Sequence, residues 1–153
     1  MPILSLSNNI CSESQPLALN VLLNASFSGG TEGFSATNAD LTYSPAKRLG
    51  IQATATNGYA YQNFSVIPGV PYSISFKWHL TGGGTQSAGN LKLGSTDGGH
   101  EYMNLNYADD DATYQSGDID FTATASTLYL RLITATDTKY THWDNIIIKL
   151  AQE

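Results

Sequence analysis

The most regular stretch of the sequence is Ile67-Pro-Gly-Val-Pro-Tyr-Ser-Ile-Ser-Phe-Lys-Trp-His-Leu80. Its first residues predict a turn, because proline restricts φ at Pro68 and glycine tolerates positive φ at Gly69. Apolar and polar residues then alternate, with Tyr72, Ile74, Phe76, Trp78 and Leu80 on one side and Ser73, Ser75, Lys77 and His79 on the other. A period of two residues predicts a β-strand that buries its apolar side and exposes its polar side to solvent.

The composition of the whole chain favours a single all-β domain. The chain has 153 residues, of which 41% are hydrophobic and 13% are charged. A chain of this length can bury a sizeable core in one domain. Its charged fraction is about half of the usual share, so Ser, Thr, Asn, Gln and Gly must cover the surface, and surface helices rich in Glu and Lys are not expected.

The charge balance excludes some classes of partner. Basic and acidic residues number 7 and 13, which gives a net charge of −6, so the basic surface that a nucleic acid requires is not expected. An anionic membrane surface is disfavoured for the same reason, and no apolar run of about 18 residues predicts a transmembrane helix. The N-terminal residues lack the basic and apolar regions of a secretory signal. A single cysteine, Cys11, excludes an internal disulfide, and the sequence leaves open whether it pairs between chains.

Similar alternation precedes the central stretch. A short strand is predicted from Leu41 to Tyr43, and Arg48 to Thr56 predicts a strand with Leu49, Ile51, Ala53 and Ala55 directed inward. The following strand directs Ala60, Phe64 and Val66 inward and Tyr59, Tyr61 and Asn63 outward. Asn57-Gly58 lies between these two strands, and because both residues tolerate positive φ, the pair predicts a two-residue β-hairpin.

The second half of the chain continues the pattern. Strands are predicted at Leu91–Leu93, Glu101–Tyr107, Asp118–Ala123, Ser126–Thr134 and Trp143–Leu150, with loops at residues 81–90 and 108–117. Their inward residues are Met103, Leu105, Tyr107, Ile119, Phe121, Ala123, Leu128, Leu130, Leu132, Ile146, Ile148 and Leu150. Trp78 is assigned to the core, whereas Trp143 fits either the core or the surface. About eight or nine short strands at regular spacing are typical of an all-β, two-sheet antiparallel β-sandwich, or jelly roll.

Residues 1–21 differ from the domain that follows at residues 22–153. Scattered apolar residues are separated there by Ser, Asn and Pro, which predicts an extended segment and not a helix. Two interpretations remain open. The segment is either a first strand with a loose tail or an arm that lies on another subunit, since apolar side chains in a tail are costly to leave in water.

Several short motifs occur in order across residues 22–150. They are Leu23-Asn24-Ala25-Ser26-Phe27 with Gly33-Phe34, Tyr61-Gln62, the Pro-Gly-x-x-Tyr-x-x-x-Phe pattern within Val66–Phe76, Phe121–Ala125, Leu128–Leu132 and Trp143–Ile148. In order and spacing, these motifs resemble the jelly-roll carbohydrate-binding modules of the cellulose- and xylan-binding type, a branch of the galactose-binding-like β-sandwiches. The resemblance implies a β-sandwich and, less specifically, sugar binding, because one fold hosts several functions.

The same resemblance implies a structural calcium ion, although one of its usual ligand positions has changed. These modules usually carry an acidic residue after the Asn-x-x-Phe motif, where this chain has Ser28. Asp144 matches the aspartate of the closing Asp-Asn motif and is therefore the candidate metal ligand. The interpretation that we favour is a structural carboxylate that accepts hydrogen bonds near the turn at Asn24.

Motifs for catalysis are missing from the sequence. His79, His100 and His142 lack the spacing of a zinc site. Asp109-Asp110-Asp111 lacks the alternating pattern of a calcium-binding loop. No nucleophile elbow, phosphate-binding loop or dinucleotide fingerprint occurs. We therefore expect a protein that is not an enzyme and that has no cofactor.

Sugar binding is the chemistry that the outward side chains favour. Sugars are recognised by flat aromatic rings against their C–H faces and by polar side chains that bond their hydroxyls. The outward side chains of this kind are Tyr59, Tyr61, Lys77, His79, Tyr102, Asn104, Asn106, Tyr129 and Arg131. If their strands share one sheet, Tyr59, Tyr61, His79, Tyr102, Asn104, Tyr129 and Arg131 form a carbohydrate-binding site. The alternative is that outward tyrosines cover a sheet or fill a subunit interface.

Two functions are expected from these observations. The first is a non-catalytic structural protein of a virus particle, such as a bacteriophage capsid decoration, cement or fibre-associated protein. It would be a homo-oligomer anchored by the N-terminal arm on a capsid or other virion protein. Sugar modules of this type usually accompany a catalytic domain in a secreted chain, and this sequence shows no signal, linker or enzyme. The alternative is a free-standing lectin-like module that binds a polysaccharide outside the cell or at the cell surface.

Overall fold

The fold is an antiparallel sandwich of two five-stranded sheets, seen in a computed structural model that describes residues 20–44, 46, 48–81, 87–109, 115–134 and 140–151. The strands are β1 (Ser35–Thr37), β2 (Ala39–Ser44), β3 (Arg48–Ala53), β4 (Gly58–Ser65), β5 (Pro71–Thr81), β6 (Ser87–Gly94), β7 (Met103–Asp109), β8 (Gln115–Thr122), β9 (Thr127–Thr134) and β10 (Tyr140–Leu150). One sheet, here named the front sheet, has the order β1-β4-β9-β6-β7, and the back sheet has the order β2-β3-β10-β5-β8. The predicted all-β jelly-roll sandwich is confirmed. The described part of the chain contains no helix, and so none that could cross a membrane.

The inward sides of the two sheets form one hydrophobic core. On β5, Tyr72, Ile74, Phe76 and Trp78 are buried as the alternation predicts, and Gly69 takes the expected positive φ of 81°. Leu128, Leu130 and Leu132 on β9 of the front sheet are fully buried. Burying a side chain of this size contributes about 1.5–3 kcal/mol, so the core is the main source of stability.

A β-bulge in β10 decides the position of Trp143. The register against β5 shifts between Asp144 and Ile147, and Asn145 adopts a positive φ of 49°. An extra residue on one strand interrupts the alternation, so Trp143 and Ile146 are both fully buried although they are three positions apart. The tryptophan ring packs against Phe76 with ring centroids 5.9 Å apart, and it therefore belongs to the core.

The predicted hairpin at Asn57-Gly58 is wrong. Asn57 does adopt a positive φ of 59°, but β3 lies in the back sheet and β4 in the front sheet, so the two strands do not pair. The chain instead crosses between the sheets, and the carbonyl of Asn38 accepts hydrogen bonds from the backbone N–H groups of Thr54 and Ala55 at 2.8 and 3.4 Å. Turn residues specify local φ, whereas the core requires β3 and β4 to cover it from opposite sides.

Other strand limits also differ from the predictions. β3 ends at Ala53, and Ala55 is exposed. β6 begins at Ser87, β7 extends to Asp109 and β8 begins at Gln115, so strands enter both predicted loops. The described residues contain ten strands where about eight or nine were expected. The glycine run at 82–84 and the aspartates at 110 and 111 lie outside the described residues.

The start of the described chain is held against β10. The side chain of Asn20 donates to the carbonyl of Ile146 at 3.1 Å and accepts from the N–H of Ile148 at 2.9 Å. The N–H of Val21 donates to the carbonyl of Ile148 at 3.0 Å. Asn20 and Val21 therefore pack with the sandwich, while the rest of the predicted arm, residues 1–19, lies outside the described residues.

Candidate functional site

The structure brings five of the predicted site residues together on the outer side of the front sheet, here named the front face. Tyr59 and Tyr61 lie on β4, Tyr129 and Arg131 on β9, and Asn104 on β7. Tyr61 is directly opposite Arg131 in the β4–β9 pair, and Tyr129 is opposite Asn63. Cross-strand neighbours on one face of a sheet lie within contact distance, so these side chains form one continuous surface.

The front face extends onto β6, which the sequence analysis did not include. Lys92 is opposite Arg131 in the β6–β9 pair and opposite Asn104 in the β6–β7 pair. Asn90 is opposite Ile133 on β9 and Asn106 on β7. The predicted strand Leu91–Leu93 already contains Lys92 between two leucines, and extending its alternation by one residue would also have placed Asn90 outward.

Arg131 is held at the centre of the front face by two groups, the ring of Tyr59 and the carboxylate of Asp97. Its Cζ lies 4.1 Å from the ring centroid of Tyr59, which is a cation–π distance. Its Nε and Nη2 atoms donate to one oxygen of Asp97, at 2.8 and 2.7 Å. The rings of Tyr59 and Tyr61 are 5.8 Å apart and tilted by 52°. The contacts with Tyr59 and Asp97 fix the guanidinium group, and the side chain of Arg131 is 19% exposed.

The loop between β6 and β7 carries Asp97 and folds tightly on itself. Gly94 is required there, because a Cβ at this position would lie 2.3 Å from the carbonyl carbon of Gly99. The N–H of Ser95 donates to the carboxylate of Glu101 at 2.5 Å, and the Ser95 hydroxyl donates to the same oxygen. These hydrogen bonds lower the pKa of Glu101 to about 2. The loop thereby holds Asp97 beside Arg131.

A group of three asparagine side chains occupies the β6–β7 side of the front face. The Nδ2 of Asn90 donates to the Oδ1 of Asn104 at 2.8 Å and to the Oδ1 of Asn106 at 2.7 Å. Asn104 and Asn106 are exposed. Their own amide N–H groups make no hydrogen bond within the described residues, so they are available to acceptors in solution.

Two of the predicted site residues lie elsewhere. His79 is on β5 of the back sheet, only 6% exposed, and its ring stacks on His142 with centroids 4.7 Å apart. Tyr102 precedes β7, packs against Phe121 with ring centroids 5.6 Å apart, and shares a 2.6 Å hydrogen bond with the Thr124 hydroxyl. The expectation that these two residues join the tyrosines on one face is wrong. Alternation along a strand does not identify its sheet, and His79 lies on the other sheet. Tyr102 lies before the first residue of β7, where the alternation of that strand does not apply, and it packs against the core. Lys77, like His79, lies on the back sheet.

The turn at Asn24 does not fit the calcium site that the resemblance implied. Asn24 closes this turn itself, since its Nδ2 donates to the carbonyls of Gly30 and Glu32 at 2.9 and 3.1 Å and its Oδ1 accepts from the N–H of Gly29 at 3.1 Å. A calcium ion in a protein usually binds about six to eight oxygen ligands. Within the described residues, Asp144 does not belong to any group of three or more His, Cys, Asp or Glu side chains that could hold a metal ion.

Comparison with known proteins shows the fold class. No protein-family model and no curated protein sequence matches the chain. A carbohydrate-binding module described as CBM4 superposes with a TM-score of 0.67 at 14% identity, over 85% of this chain and 99% of that chain. TmCBM61 in complex with β-1,4-galactotriose gives a TM-score of 0.67 at 12% identity, over 88% of this chain and 100% of that chain.

A viral protein has the same fold over part of its length. The enzymatically active domain of tailspike protein 4 from bacteriophage CBA120 gives a TM-score of 0.62 at 12% identity, over 86% of this chain and 21% of that chain. At such identities the likeness concerns the fold. The fold is the jelly-roll sandwich of carbohydrate-binding modules, as the sequence motifs predicted.

Proposed function

We propose that this protein is a non-catalytic carbohydrate-binding module that binds a polysaccharide along its front face. The observation that carries the proposal is the convergence of Tyr59, Tyr61 and Tyr129 with Arg131 and the asparagine group on one sheet. Aromatic rings offer flat surfaces to the C–H faces of sugars, and amide and guanidinium groups bond hydroxyls. An open sheet face can follow a polymer over several sugar units.

The comparisons support this proposal at the level of the fold. TmCBM61, whose fold this chain shares over 88% of its length, binds a trisaccharide of β-1,4-linked galactose. A fold does not specify a function, so the side chains of the front face carry the argument. A polysaccharide ligand of this kind agrees with a location outside the cell or at the cell surface.

The carboxylates near the front face are poorly suited to glycoside hydrolysis. Such catalysis requires a general acid whose pKa is raised and a second carboxylate across the scissile bond. The pKa of Glu101 is lowered to about 2 by hydrogen bonds from Ser95. Asp97 is engaged by Arg131 at 2.7 Å. These two groups are occupied in holding the loop, which supports binding without catalysis.

The test replaces the front-face tyrosines one at a time. We expect Tyr59→Ala, Tyr61→Ala and Tyr129→Ala each to weaken polysaccharide binding by about tenfold, since an aromatic contact of about 1–1.5 kcal/mol is lost. Tyr43→Ala is the matched control, because Tyr43 is 43% exposed on the back sheet. Affinity electrophoresis in gels containing soluble polysaccharides measures binding, and thermal unfolding verifies the fold. Unchanged binding in all three variants, or an equal loss in the control, would contradict the proposal.

A structural role in a virus particle is the second candidate. The observation in its favour is that a phage tailspike contains a region of this fold. The expected anchor is the arm at residues 1–21. Residues 1–19 of it can be removed while Asn20 and Val21 are retained to keep their hydrogen bonds to β10. An oligomer that becomes monomeric on this truncation, measured by light scattering, would support assembly through the arm. The same oligomer in both forms would contradict the arm's role, and a monomer in both would contradict self-assembly.

A further inference from the structure

We propose that the polysaccharide is acidic and that a carboxylate or sulfate group of its sugars binds between Arg131 and Lys92. This inference rests on the proposed function, because it names the class of ligand that the front face selects. The charged side chains of the front face carry the inference, and they are distinct from the aromatic surface that carries the proposed function.

The first observation is a pair of like charges at the centre of the front face. Lys92 and Arg131 are directly opposite each other on β6 and β9. Like charges in this arrangement destabilise a sheet. Asp97 pairs with Arg131, whereas Lys92 has no ion-pair partner within the described residues. Two cations and one carboxylate leave one positive charge that a bound anion would neutralise.

A second observation is that the described charged side chains of the front-sheet strands are all basic, whereas the back sheet carries both signs. Within residues 35–37, 58–65, 89–94, 103–106 and 127–134 of the front-sheet strands, the charged side chains are Lys92 and Arg131. The outer side of the back sheet carries charges of both signs, namely Asp40, Asp118, Asp120 and Asp144 together with Arg48, Lys77 and Lys149. A chain with a net charge of −6 has only 7 basic residues, so an adjacent pair of them on the tyrosine-bearing face runs against its composition.

A third observation is that Arg131 is already positioned to receive an anion. Asp97 takes its Nε and Nη2 atoms, and the Tyr59 ring covers the guanidinium group at 4.1 Å. Nη1 makes no hydrogen bond within the described residues. A Cβ at Gly98 would lie 3.1 Å from Nη1, so a side chain at this position would crowd that edge of the guanidinium. A group held in place loses little freedom on binding, and arginine matches the oxygens of carboxylate and sulfate groups.

A neutral polysaccharide would leave the charge of Lys92 without compensation. Binding along the front face would remove water from Lys92, and burying an unpaired charge is unfavourable. An anionic sugar substituent offsets that cost with a charge-assisted hydrogen bond. The neighbouring Tyr61 and Asn104 would contact the sugar ring and its hydroxyls.

The experiment compares matched polymers that differ in charge. The full chain is titrated by calorimetry with polygalacturonate and its methyl ester, with polymannuronate and β-1,4-mannan, and with chondroitin sulfate and unsulfated chondroitin. In the first two pairs we expect the acidic polymer to bind at least about tenfold more tightly than its uncharged partner, and its affinity to fall as salt is raised. In the third pair both polymers carry the glucuronate carboxylate and differ only in the sulfate. Preference within the first two pairs indicates a carboxylate, and preference for the sulfated chondroitin indicates sulfate.

Two lysine variants then locate the charge. Lys92→Gln should lower the affinity for the preferred acidic polymer by about tenfold and keep the melting temperature, since it removes a like-charge contact. Lys77→Gln makes the same charge change at an exposed position of the back sheet and should leave the affinity unchanged. An equal loss in both variants would overturn the inference.

Failure of this inference can be told apart from failure of the proposed function. Equal binding of charged and uncharged polymers, still lost in Tyr59→Ala, would overturn the acidic ligand and leave a carbohydrate-binding module. No binding to any polymer, charged or neutral, would overturn both.

Discussion

At the scale of single residues, Gln62 shows how a polar side chain can occupy the inward side of a strand. It lies on β4 between Ala60 and Phe64 and is only 5% exposed. Its Oε1 accepts from the N–H of Leu23 at 2.9 Å, and its Nε2 donates to the carbonyl of Gly33 at 2.8 Å. A buried polar group is tolerated when it is hydrogen-bonded, and this one attaches the N-terminal loop to the front sheet.

Replacing Gln62 should therefore cost stability. Gln62→Leu keeps the approximate size of the side chain but leaves the partly buried N–H of Leu23 and the carbonyl of Gly33 without these partners. We expect the free energy of unfolding in urea to fall by about 2–3 kcal/mol. Asn63→Ala, at an exposed position on the same strand, is the control and should change it by less than about 0.5 kcal/mol. A Gln62 variant as stable as the control would show that these hydrogen bonds contribute little.

At the scale of strands, the stacked pair of His79 and His142 links β5 to β10 on the back sheet. The two residues are directly opposite, and β3 completes the group with Arg48 and with Gly50, which lies opposite His142. Burial, then the charge of His79 and that of Arg48, lower the pKa of His142 from 6.5 to about 4. The folded protein therefore binds a proton at His142 less readily than the unfolded chain does.

This difference predicts a pH dependence of stability. Between pH 6.5 and about 4 the unfolded chain holds more protons at this position, so stability falls as the pH is lowered through that window. We expect the free energy of unfolding of His142→Gln to depend less on pH there than that of the unmodified protein. His100→Gln, at an exposed position in the β6–β7 loop, should keep the original slope. Identical slopes for all three proteins would assign the acid sensitivity to other groups.

At the scale of the whole molecule, the sandwich separates two surfaces of different chemistry. The outer sides of the two sheets face solvent across a core about 10 Å thick, so their exposed charges lie farther apart than the Debye length of about 8 Å at physiological salt, and ions in the solvent screen them from each other. The carboxylates of the back sheet therefore act only weakly on charges at the front face. A protein with a net charge of −6 can in this way present a local pair of cations beside its tyrosines.

Much of this arrangement was accessible from the sequence, because the alternation of apolar and polar residues is a local property of a strand. It correctly assigned Leu128, Leu130 and Leu132 to the core and Tyr59, Tyr61 and Arg131 to the outside. The physical reason is that burying apolar surface governs which side of a strand faces inward. The side of a strand that faces inward can therefore be predicted without knowing which strand lies next to it.

Contacts between residues far apart in the chain decided which strands pair, which sheet each strand joins and where a strand is irregular. His79 alternates in the same way as Tyr59 but lies on the other sheet. The turn at Asn57 connects strands of two different sheets and does not form a hairpin. The bulge that buries Trp143 and the pairing of Asp97 with Arg131 also arise from tertiary packing. These features arise because the side chains of both sheets must fill one core and because charged and polar groups must find partners on other strands or loops. The local period of the sequence does not encode either requirement.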